Sequence, residues 1–136
     1  MSTPSKRWVL PVEWTKVREF ALATGAPVPD PIAGPVPLTF PTYGLHAFGQ
    51  IDAGDLGLAG YAVIHGEEEY EFRRPLRIGD RLTAETRLAE NTEKARKSGA
   101  PMRRLVVETE FHDRAGELVV LARAIAFAVP RSEPSG

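Results

Sequence analysis

The second half of the chain alternates in side-chain character with a period of two, and this pattern restricts the fold more than any other feature. Three segments show the alternation: Ile64 to Arg73, Leu82 to Leu88 and Leu105 to Phe111. The pattern is typical of β-strands, because successive side chains on a strand point to opposite faces of the sheet. A fourth segment, Glu117 to Val129, is apolar on both faces apart from Arg123. It predicts a central strand that is covered on both faces.

The connections between these segments predict antiparallel pairing. Residues 75–80 (PLRIGD) and 113–116 (DRAG) have the composition of tight turns, and the second of them predicts a hairpin. The polar residues 91–101 are expected to form a longer connection between the second and third strands.

Two helices are predicted before the strands. Glu13 to Thr24 has apolar residues mostly three and four positions apart, and Gly25 follows where a left-handed residue ends a helix. Residues 26–37 contain prolines that prevent the helix from continuing, so an extended loop is predicted there. Leu38 to Asp52 is apolar over most of its surface, which predicts a buried helix with Pro41 in its first turn.

These elements predict an α+β fold in which a curved antiparallel sheet wraps around the buried helix. The length of 136 residues fits a single domain. We expect the domain to span residues 11–130, with a flexible N-terminus at 1–10 and a flexible tail at 131–136. A sheet of this size around one helix has a second face to cover, which favours a dimer.

Charge and composition exclude several classes of function. The net charge is −1 and the chain has no cysteine, so neither a general attraction to nucleic acid nor a disulfide is expected. The N-terminus lacks the apolar region of a signal peptide, and the longest apolar run, at 118–129, is too short to span a bilayer. We therefore expect a soluble, cytoplasmic protein with no nucleic-acid or membrane partner.

Three stretches together resemble a known family. They are PLTFPTYGLHAFG at 37–49, VIHGEEEYEFRRPLRIGDRL at 63–82 and VETEFHDRAGELV at 107–119. The chain is similar to the MaoC-like (R)-specific hydratases and dehydratases. Within that family it resembles the N-terminal type of domain found in the non-catalytic subunit of actinobacterial (3R)-hydroxyacyl-carrier-protein dehydratases. The resemblance implies a hot-dog fold, whereas function has to be argued from the site.

The loop after the first helix carries the family's catalytic residues. Catalytic members have a Gly-Asp-x-Asn-Pro-(apolar)-His segment there, whose histidine moves the proton at C2 of the acyl chain while the aspartate orients water or the leaving hydroxyl. Aligned on the end of the helix, this sequence has Ala26, Val28 and Pro31 at the Asp, Asn and His positions. Because none of these side chains can exchange a proton, the resemblance implies a catalytically silent chain.

Two residues remain as weak catalytic candidates. Asp30 lies in the same loop, where a shift of one residue could bring it near the site, but a carboxylate without an imidazole does not replace the pair. His65 could line the thioester pocket or act as a base with Glu67. A structural histidine explains His65 at least as well.

The resemblance also implies a set of substrate-binding residues. In the family, the N-terminus of the central helix polarises the thioester carbonyl, and in a non-catalytic subunit the same segment borders a channel for the acyl chain. The positions carried over to this sequence are Thr39, Phe40, Pro41, Tyr43, Gly44, Phe48, His65 and Gly66. Core packing explains the helix residues of this set equally well.

The other charged and histidine residues have simple explanations beside functional ones. Four glutamates lie close together, Glu67, Glu68, Glu69 and Glu71. Strand alternation separates Glu68 from the other three, and a solvated or salt-bridged sheet face accounts for them. The histidines, His46, His65 and His112, lack the paired spacing of metal ligands. We therefore expect neither a metal nor a cofactor.

A group of basic residues falls near the predicted connection at 91–101. Its members are Lys94, Arg96, Lys97, Arg103 and Arg104. They could contact the phosphates of coenzyme A or an acidic carrier protein. Ordinary solvated charge is the simpler explanation.

Three functions remain open from the sequence. The first is the substrate-binding, silent half of a (3R)-hydroxyacyl-thioester dehydratase or trans-2-enoyl-thioester hydratase of fatty-acid metabolism. It would form a heterodimer with a catalytic MaoC-like subunit and would bind an acyl-coenzyme A or an acyl-carrier-protein thioester. The second is a hot-dog acyl-thioester hydrolase in which Asp52, Asp55 or Glu67 activates water. The third is a homodimeric module that binds acyl-coenzyme A without turnover.

Overall fold

A computed structural model describes residues 4–32, 34–51 and 56–131. The strands are Ser5–Pro11 (β1), Tyr61–Phe72 (β2), Arg81–Ala95 (β3), Pro101–His112 (β4) and Leu118–Pro130 (β5). The helices are Trp14–Thr24 (α1) and Phe40–Ala47 (α2). All strand pairs are antiparallel, and the sheet order is β1-β3-β4-β5-β2. The α+β prediction with an antiparallel sheet is confirmed, and β5 lies inside the sheet as predicted.

The N-terminal residues correct the flexible segment predicted for 1–10. Ser5–Pro11 pairs along its whole length with β3, and Trp8 and Leu10 are buried in the core. The strand is easily overlooked in the sequence because only three alternating apolar positions, Trp8, Leu10 and Val12, carry its pattern. Of the predicted tail at 131–136, only Arg131 is among the described residues.

The helices begin and end for local reasons. α1 stops as predicted at Gly25, which has a φ of 75° and donates its N–H to the carbonyl of Ala21. α2 is shorter than the predicted helix at 38–52, and Pro41 lies in its first turn as predicted. The rings of Phe20 and Phe40 pack edge to face, with centroids 5.7 Å apart, and so join the two helices.

The main core lies between α1, α2 and the face of the sheet that the helices cover. On β3 this face is formed by alternate buried residues, Leu82, Ala84, Thr86 and Leu88. The two buried hydroxyls in it are satisfied, because the Trp8 indole N–H donates a 2.9 Å hydrogen bond to Thr86, which in turn bonds to Thr109 at 2.9 Å. This chain of hydrogen bonds fixes the indole over the sheet.

A β-bulge at Gly66 interrupts β2. The pairing with β5 shifts its register between His65 and Glu67, so Gly66 is the extra residue. The predicted alternation runs through Gly66 without a break and is wrong here. Unbroken alternation places His65 and Glu68 on opposite faces, whereas the bulge places both on the face covered by α2.

A second bulge interrupts β3 at Ala89, where the pairing with β4 shifts between Leu88 and Glu90. The two bulges flank the paired residues Val106 and Ile125 from opposite sides. Because a bulge increases the local twist of its strand, the sheet is expected to curve most strongly at this level.

Residues 91–101 do not form the polar connection predicted for them. They are the end of β3, a tight turn and the start of β4. β1 pairs with β3 no further than Arg87, and β5 pairs with β4 only from Arg103 onwards. Residues 94–102 are therefore a hairpin end that pairs only with itself and extends beyond the neighbouring strands.

Asp80 organises the turn at 75–80 that precedes β3. Its carboxylate accepts hydrogen bonds of 2.8 and 3.2 Å from the Arg74 guanidinium and one of 2.8 Å from the backbone N–H of Arg77. Partial burial would by itself raise the pKa of Asp80, but these hydrogen bonds outweigh burial and lower the pKa below its ordinary value. The hydrogen bond with Asp80 in turn raises the pKa of Arg74, so both members of the ion pair stay charged.

Candidate functional site

The loop after α1 holds no acid–base pair at the positions of the family motif. Ala26 is half-buried, and Val28 and Pro31 are exposed. Asp30 serves the loop itself, because its carboxylate accepts a 2.8 Å hydrogen bond from the N–H of Ile32 and its carbonyl accepts one from Gly34. Asp30 is thus a turn residue in this structure.

A tryptophan anchors the loop to α1. The indole N–H of Trp14 donates a 3.1 Å hydrogen bond to the carbonyl of Pro29, and Pro29 is buried. The prolines on either side of this contact restrict the backbone further. The loop is therefore held in place, and the residue types that it carries decide its chemistry.

The proposed substrate-binding residues of α2 divide into buried and accessible ones. Phe40 and Pro41 are buried, so in this chain they contribute to the core. Thr39 and Phe48 are exposed and Tyr43 is half-buried. These three remain available to border a site.

Gly44 is the position where α2 approaches β1. A Cβ at this residue would lie 2.7 Å from Leu10 Cδ1 and 2.9 Å from Trp8 Cζ3. Such distances leave no room for a side chain, so glycine is required for the close packing of the helix on the sheet. Gly44 is buried and its evident role is packing.

Polar side chains from α2 and β2 meet at the edge of the sheet. Thr42 donates a 3.3 Å hydrogen bond from Oγ1 to Glu68 Oε2 and also bonds to the hydroxyl of Tyr70. Nε2 of His65 lies 4.0 Å from Glu68 Oε2, which allows an ion pair when the histidine is protonated. We call these four residues, Thr42, His65, Glu68 and Tyr70, the α2–β2 cluster.

The electrostatics of the α2–β2 cluster keep Tyr70 protonated. Burial raises the pKa of Tyr70 well above its ordinary value, and the Glu68 carboxylate adds to the rise, while the hydrogen bond with Thr42 opposes it. Since Thr42 donates to Glu68, the Tyr70 hydroxyl is the group that donates to Thr42. The cluster thus combines a half-buried carboxylate, two hydroxyls and an imidazole whose side chain is 55% exposed.

Of these four residues, the sequence singles out only His65 as a site candidate. A solvated or salt-bridged sheet face explains Glu68 from the sequence, and nothing in the pattern distinguishes Thr42 or Tyr70. A signal is present, because Glu68 and Tyr70 occupy the same side of the alternating pattern, which separates Glu68 from the other glutamates. Only the register of β2 against β5 shows that this side faces α2.

Of the carboxylates suggested for a hydrolase, Glu67 is the one that the structure describes, and it does not join the α2–β2 cluster. Glu67 pairs with Ile125 on the opposite face of the sheet, so it points away from α2. Asp52 and Asp55 lie outside the described residues. The same is true of the side chain of His46. Among the described residues, no three His, Cys, Asp or Glu side chains come together as a metal site would need.

Two surface grooves lie on other parts of the molecule. One, of about 330 Å³, is lined by Arg7, Thr83, Ala84, Glu85, Glu110, His112, Asp113, Arg114 and Gly116. The other, of about 390 Å³, is lined by Gly79, Asp80, Arg81, Asp113, Arg114 and Ala115. Neither lining includes a residue of α2 or β2, so the α2–β2 cluster is separate from both.

A family model described as FAS1-like, dehydratase domain region, matches residues 1–122. The chain belongs to this family. A UPF0336 protein of Streptomyces coelicolor is 38% identical over 122 aligned residues, which cover 79% of this chain and 77% of that relative. A UPF0336 protein of Thermobifida fusca is 33% identical over 135 residues, which cover 89% of this chain and 84% of that relative.

Solved structures of dehydratases share the fold. The HadBC (3R-hydroxyacyl-ACP dehydratase) complex of Mycobacterium tuberculosis matches with a TM-score of 0.68 and 20% identity, over 93% of this chain and 98% of that chain. A MaoC-like dehydratase matches with a TM-score of 0.69 and 23% identity, over 93% of this chain and 41% of that chain. The predicted MaoC-like hot-dog fold is confirmed. Membership of the dehydratase family supports a function of the hydratase or dehydratase type.

In the described part of the chain, neither helix has the length and apolar run that crossing a bilayer requires.

Proposed function

We propose that this chain is the substrate-binding, catalytically silent subunit of a (3R)-hydroxyacyl-thioester dehydratase or trans-2-enoyl-thioester hydratase of fatty-acid metabolism. A second hot-dog subunit supplies the aspartate and the histidine of the reaction. In the dehydration direction, the partner's histidine takes the proton from C2, and the electrons of that C–H bond form the C2–C3 double bond. The C–O bond at C3 breaks as the hydroxyl receives a proton from the partner's acid–base pair and leaves as water. This chain helps to bind and orient the acyl thioester.

One observation carries the proposal. The loop that bears the acid–base pair in catalytic members has Ala26, Val28 and Pro31 at the motif positions, and it is anchored by the hydrogen bond from Trp14 to Pro29. The nearby carboxylate of Asp30 already accepts a backbone hydrogen bond within the loop. At the three motif positions, this loop therefore offers no side chain that could take a proton from C2 and return it.

The face of the sheet under α2 suits an apolar chain with a polar end. Four alanines of β5 lie on this face, Ala122, Ala124, Ala126 and Ala128. Small side chains leave room between a strand and a helix, and the α2–β2 cluster adds hydrogen-bonding groups at the edge of the same face. Ligand sites of this kind combine an apolar lining with a few polar groups that fix orientation.

The edge of the sheet offers a place for the second subunit. β2 is the last strand on its side, so its outer backbone groups have no strand partner among residues 4–32, 34–51 and 56–131. Val63 and Ile64 on this strand are 52% and 57% exposed. An apolar, unpaired edge favours pairing with another strand, and the HadBC match is to a protein solved as a complex.

Hydration of crotonyl-coenzyme A tests the proposal. The rate is measured from the loss of enoyl absorbance for the chain alone and after co-expression with a hot-dog protein that carries the Gly-Asp-x-Asn-Pro-(apolar)-His segment. We expect turnover only in the co-expressed complex. Full activity of the chain alone would overturn the silent-subunit assignment.

Two substitutions test whether this chain supplies a group that transfers a proton in the reaction. In the active complex, Asp30→Asn and His65→Gln in this chain should change kcat by no more than about twofold, because uncharged side chains of similar size keep the packing. Replacing the partner's motif histidine by alanine should remove nearly all activity. A loss of about a hundredfold or more on substituting either residue of this chain would show that it takes part in proton transfer.

A further inference from the structure

The hairpin end formed by β3 and β4 concentrates positive charge. Residues 92–104 carry five cationic side chains, Lys94, Arg96, Lys97, Arg103 and Arg104, and one carboxylate, Glu93. Their net charge of +4 contrasts with the net charge of −1 for the whole chain, so the rest of the molecule is strongly acidic. We call residues 92–104 the basic arm. Net positive charge is therefore concentrated in this arm, and the remaining residues carry net negative charge.

Among the described residues, three of the five cations form neither an ion pair nor a side-chain hydrogen bond. Arg103 donates a 2.6 Å hydrogen bond to Asn91 Oδ1, and Arg104 forms a 2.8 Å ion pair with Glu90, so both are held at the base of the arm. Lys94, Arg96 and Lys97 are exposed, and none of the ion pairs among the described residues includes them. Their charge is available to a partner.

Arg103, at the base of the arm, lies on the same face of the sheet as the α2–β2 cluster, whereas Arg104 and Lys94 lie on the opposite face. Arg103 is level with Ala128 and Val63, and two residues further on Leu105 is level with Ala126 and His65. With strands about 4.8 Å apart and a rise of about 3.4 Å per residue, Arg103 lies about 12 Å from His65 and the tip of the arm about 20 Å from it. A ligand held by the arm can therefore extend toward the cluster.

We propose that the basic arm docks an acidic carrier protein that presents the acyl thioester on its prosthetic arm. This inference rests on the proposed function and names the carrier. A small ligand such as coenzyme A needs a concave site with converging polar groups, whereas the three free cations are spread along an exposed hairpin. Spread surface charge of one sign attracts a protein surface of the opposite sign and speeds its association.

Binding to a labelled carrier protein tests the arm without requiring turnover. The acyl carrier protein carries a fluorescent label and a crotonyl thioester on its prosthetic arm. Fluorescence anisotropy then measures its Kd for the complete chain. The Lys94→Gln/Arg96→Gln/Lys97→Gln variant should bind about tenfold or more weakly, and added salt should weaken the wild type but hardly affect the variant. The Arg18→Gln/Arg81→Gln/Arg114→Gln variant loses the same charge at exposed positions outside the arm and should bind like the wild type.

The outcomes test the docking proposal independently of the silent-subunit proposal. Equal weakening by both variants, or no effect of the arm variant, overturns the docking proposal, as does a wild type that does not bind the carrier. A loss of crotonyl-coenzyme A binding equal to the loss of carrier binding overturns it too, since the arm would then recognise phosphate groups. Because only binding is measured, a chain that proved active alone would leave the result for the arm unchanged.

Discussion

The side chain of Asp80 affects the stability of the sheet at the end where β1 pairs with β3. The carboxylate holds the turn at 75–80, and the backbone groups of the same turn bond to Val12 at the end of β1, at 2.8 Å in both directions. A charged hydrogen bond of this kind typically contributes about 1–3 kcal/mol. Through this turn, the free energy of unfolding is expected to depend on pH.

We predict that Asp80→Asn lowers the free energy of unfolding by about 1–3 kcal/mol at pH 7, because a neutral amide binds the Arg74 guanidinium less strongly. The pKa of Asp80 is lowered on folding from its ordinary value of 3.8. Its contribution is therefore complete above that value and is lost as the pH falls through the lower pKa of the folded state. Urea unfolding from pH 7 to pH 3 should show the difference between wild type and variant shrinking only below about pH 4.

Glu93→Gln supplies the control, since it removes the same charge from an exposed residue. This variant should match the wild type at every pH. A constant difference between Asp80→Asn and the wild type down to pH 3 would mean that Asp80 does not act through its charge.

Individual residues differ in how far the sequence predicts their roles. Gly25 was predictable, because an isolated glycine after an amphipathic run marks a left-handed helix end. Ala26 and Pro31 have no group that exchanges a proton, which follows from their chemistry alone, whereas the silence of the chain stays a prediction. Thr42 was not predictable as a site residue, because its partners on β2 are 26 and 28 positions away and meet it only through tertiary packing.

At the scale of elements, α2 packs closely against β1 at Gly44. Leu10 is fully buried and Trp8 is held by its hydrogen bond to Thr86, so neither side chain can move aside easily. Helix propensity favours alanine over glycine by about 1 kcal/mol. Overpacking in a fixed core costs about 1–3 kcal/mol.

We predict that Gly44→Ala destabilises the protein by about 1 kcal/mol, because the overpacking against Leu10 and Trp8 outweighs the gain in helix propensity. The midpoint of urea unfolding measures the effect. Ala47→Gly, at an exposed position of the same helix, measures the propensity difference alone. A Gly44→Ala variant as stable as the wild type would show that the helix lies further from β1.

The long elements could be predicted from the sequence, and the short or irregular ones could not. β4 and β5 carry long patterns that fix their type, and the turn between them contains the expected residues. β1 has too few alternating positions to stand out. The bulge at Gly66 depends on the neighbouring strand, where the carbonyl of Ile125 and the ring of Phe127 each lie 3.0 Å from a Cβ built on Gly66.

For the whole molecule, the exposed edge of β2 is where we expect a second chain to associate. Ile64 on this edge is 57% exposed, and so is Leu22 on α1. We predict that Ile64→Lys weakens dimerisation, with a second copy or with the catalytic partner, by about tenfold or more, because burial of an isoleucine contributes roughly 1–2 kcal/mol. Lysine also disfavours edge pairing. Sedimentation analysis at several concentrations measures the effect.

Leu22→Lys is the matched control, since it adds the same charge at an equally exposed leucine and should leave association unchanged. Equal weakening by both variants would indicate a general effect of charge. A wild type that stays monomeric both alone and with the catalytic partner would exclude the β2 edge as an interface.

The bulge at Gly66 changes which residues of β2 face α2. Beyond it, the side chains that face α2 are even-numbered, as in Glu68 and Tyr70, and before it they are odd-numbered, as in Val63 and His65. Loss of the Gly66 codon would therefore leave the same side chains facing the helix, whereas loss of a codon within either half of the strand would exchange inside for outside. Among natural variants of this chain, length changes in β2 should concentrate at this one position.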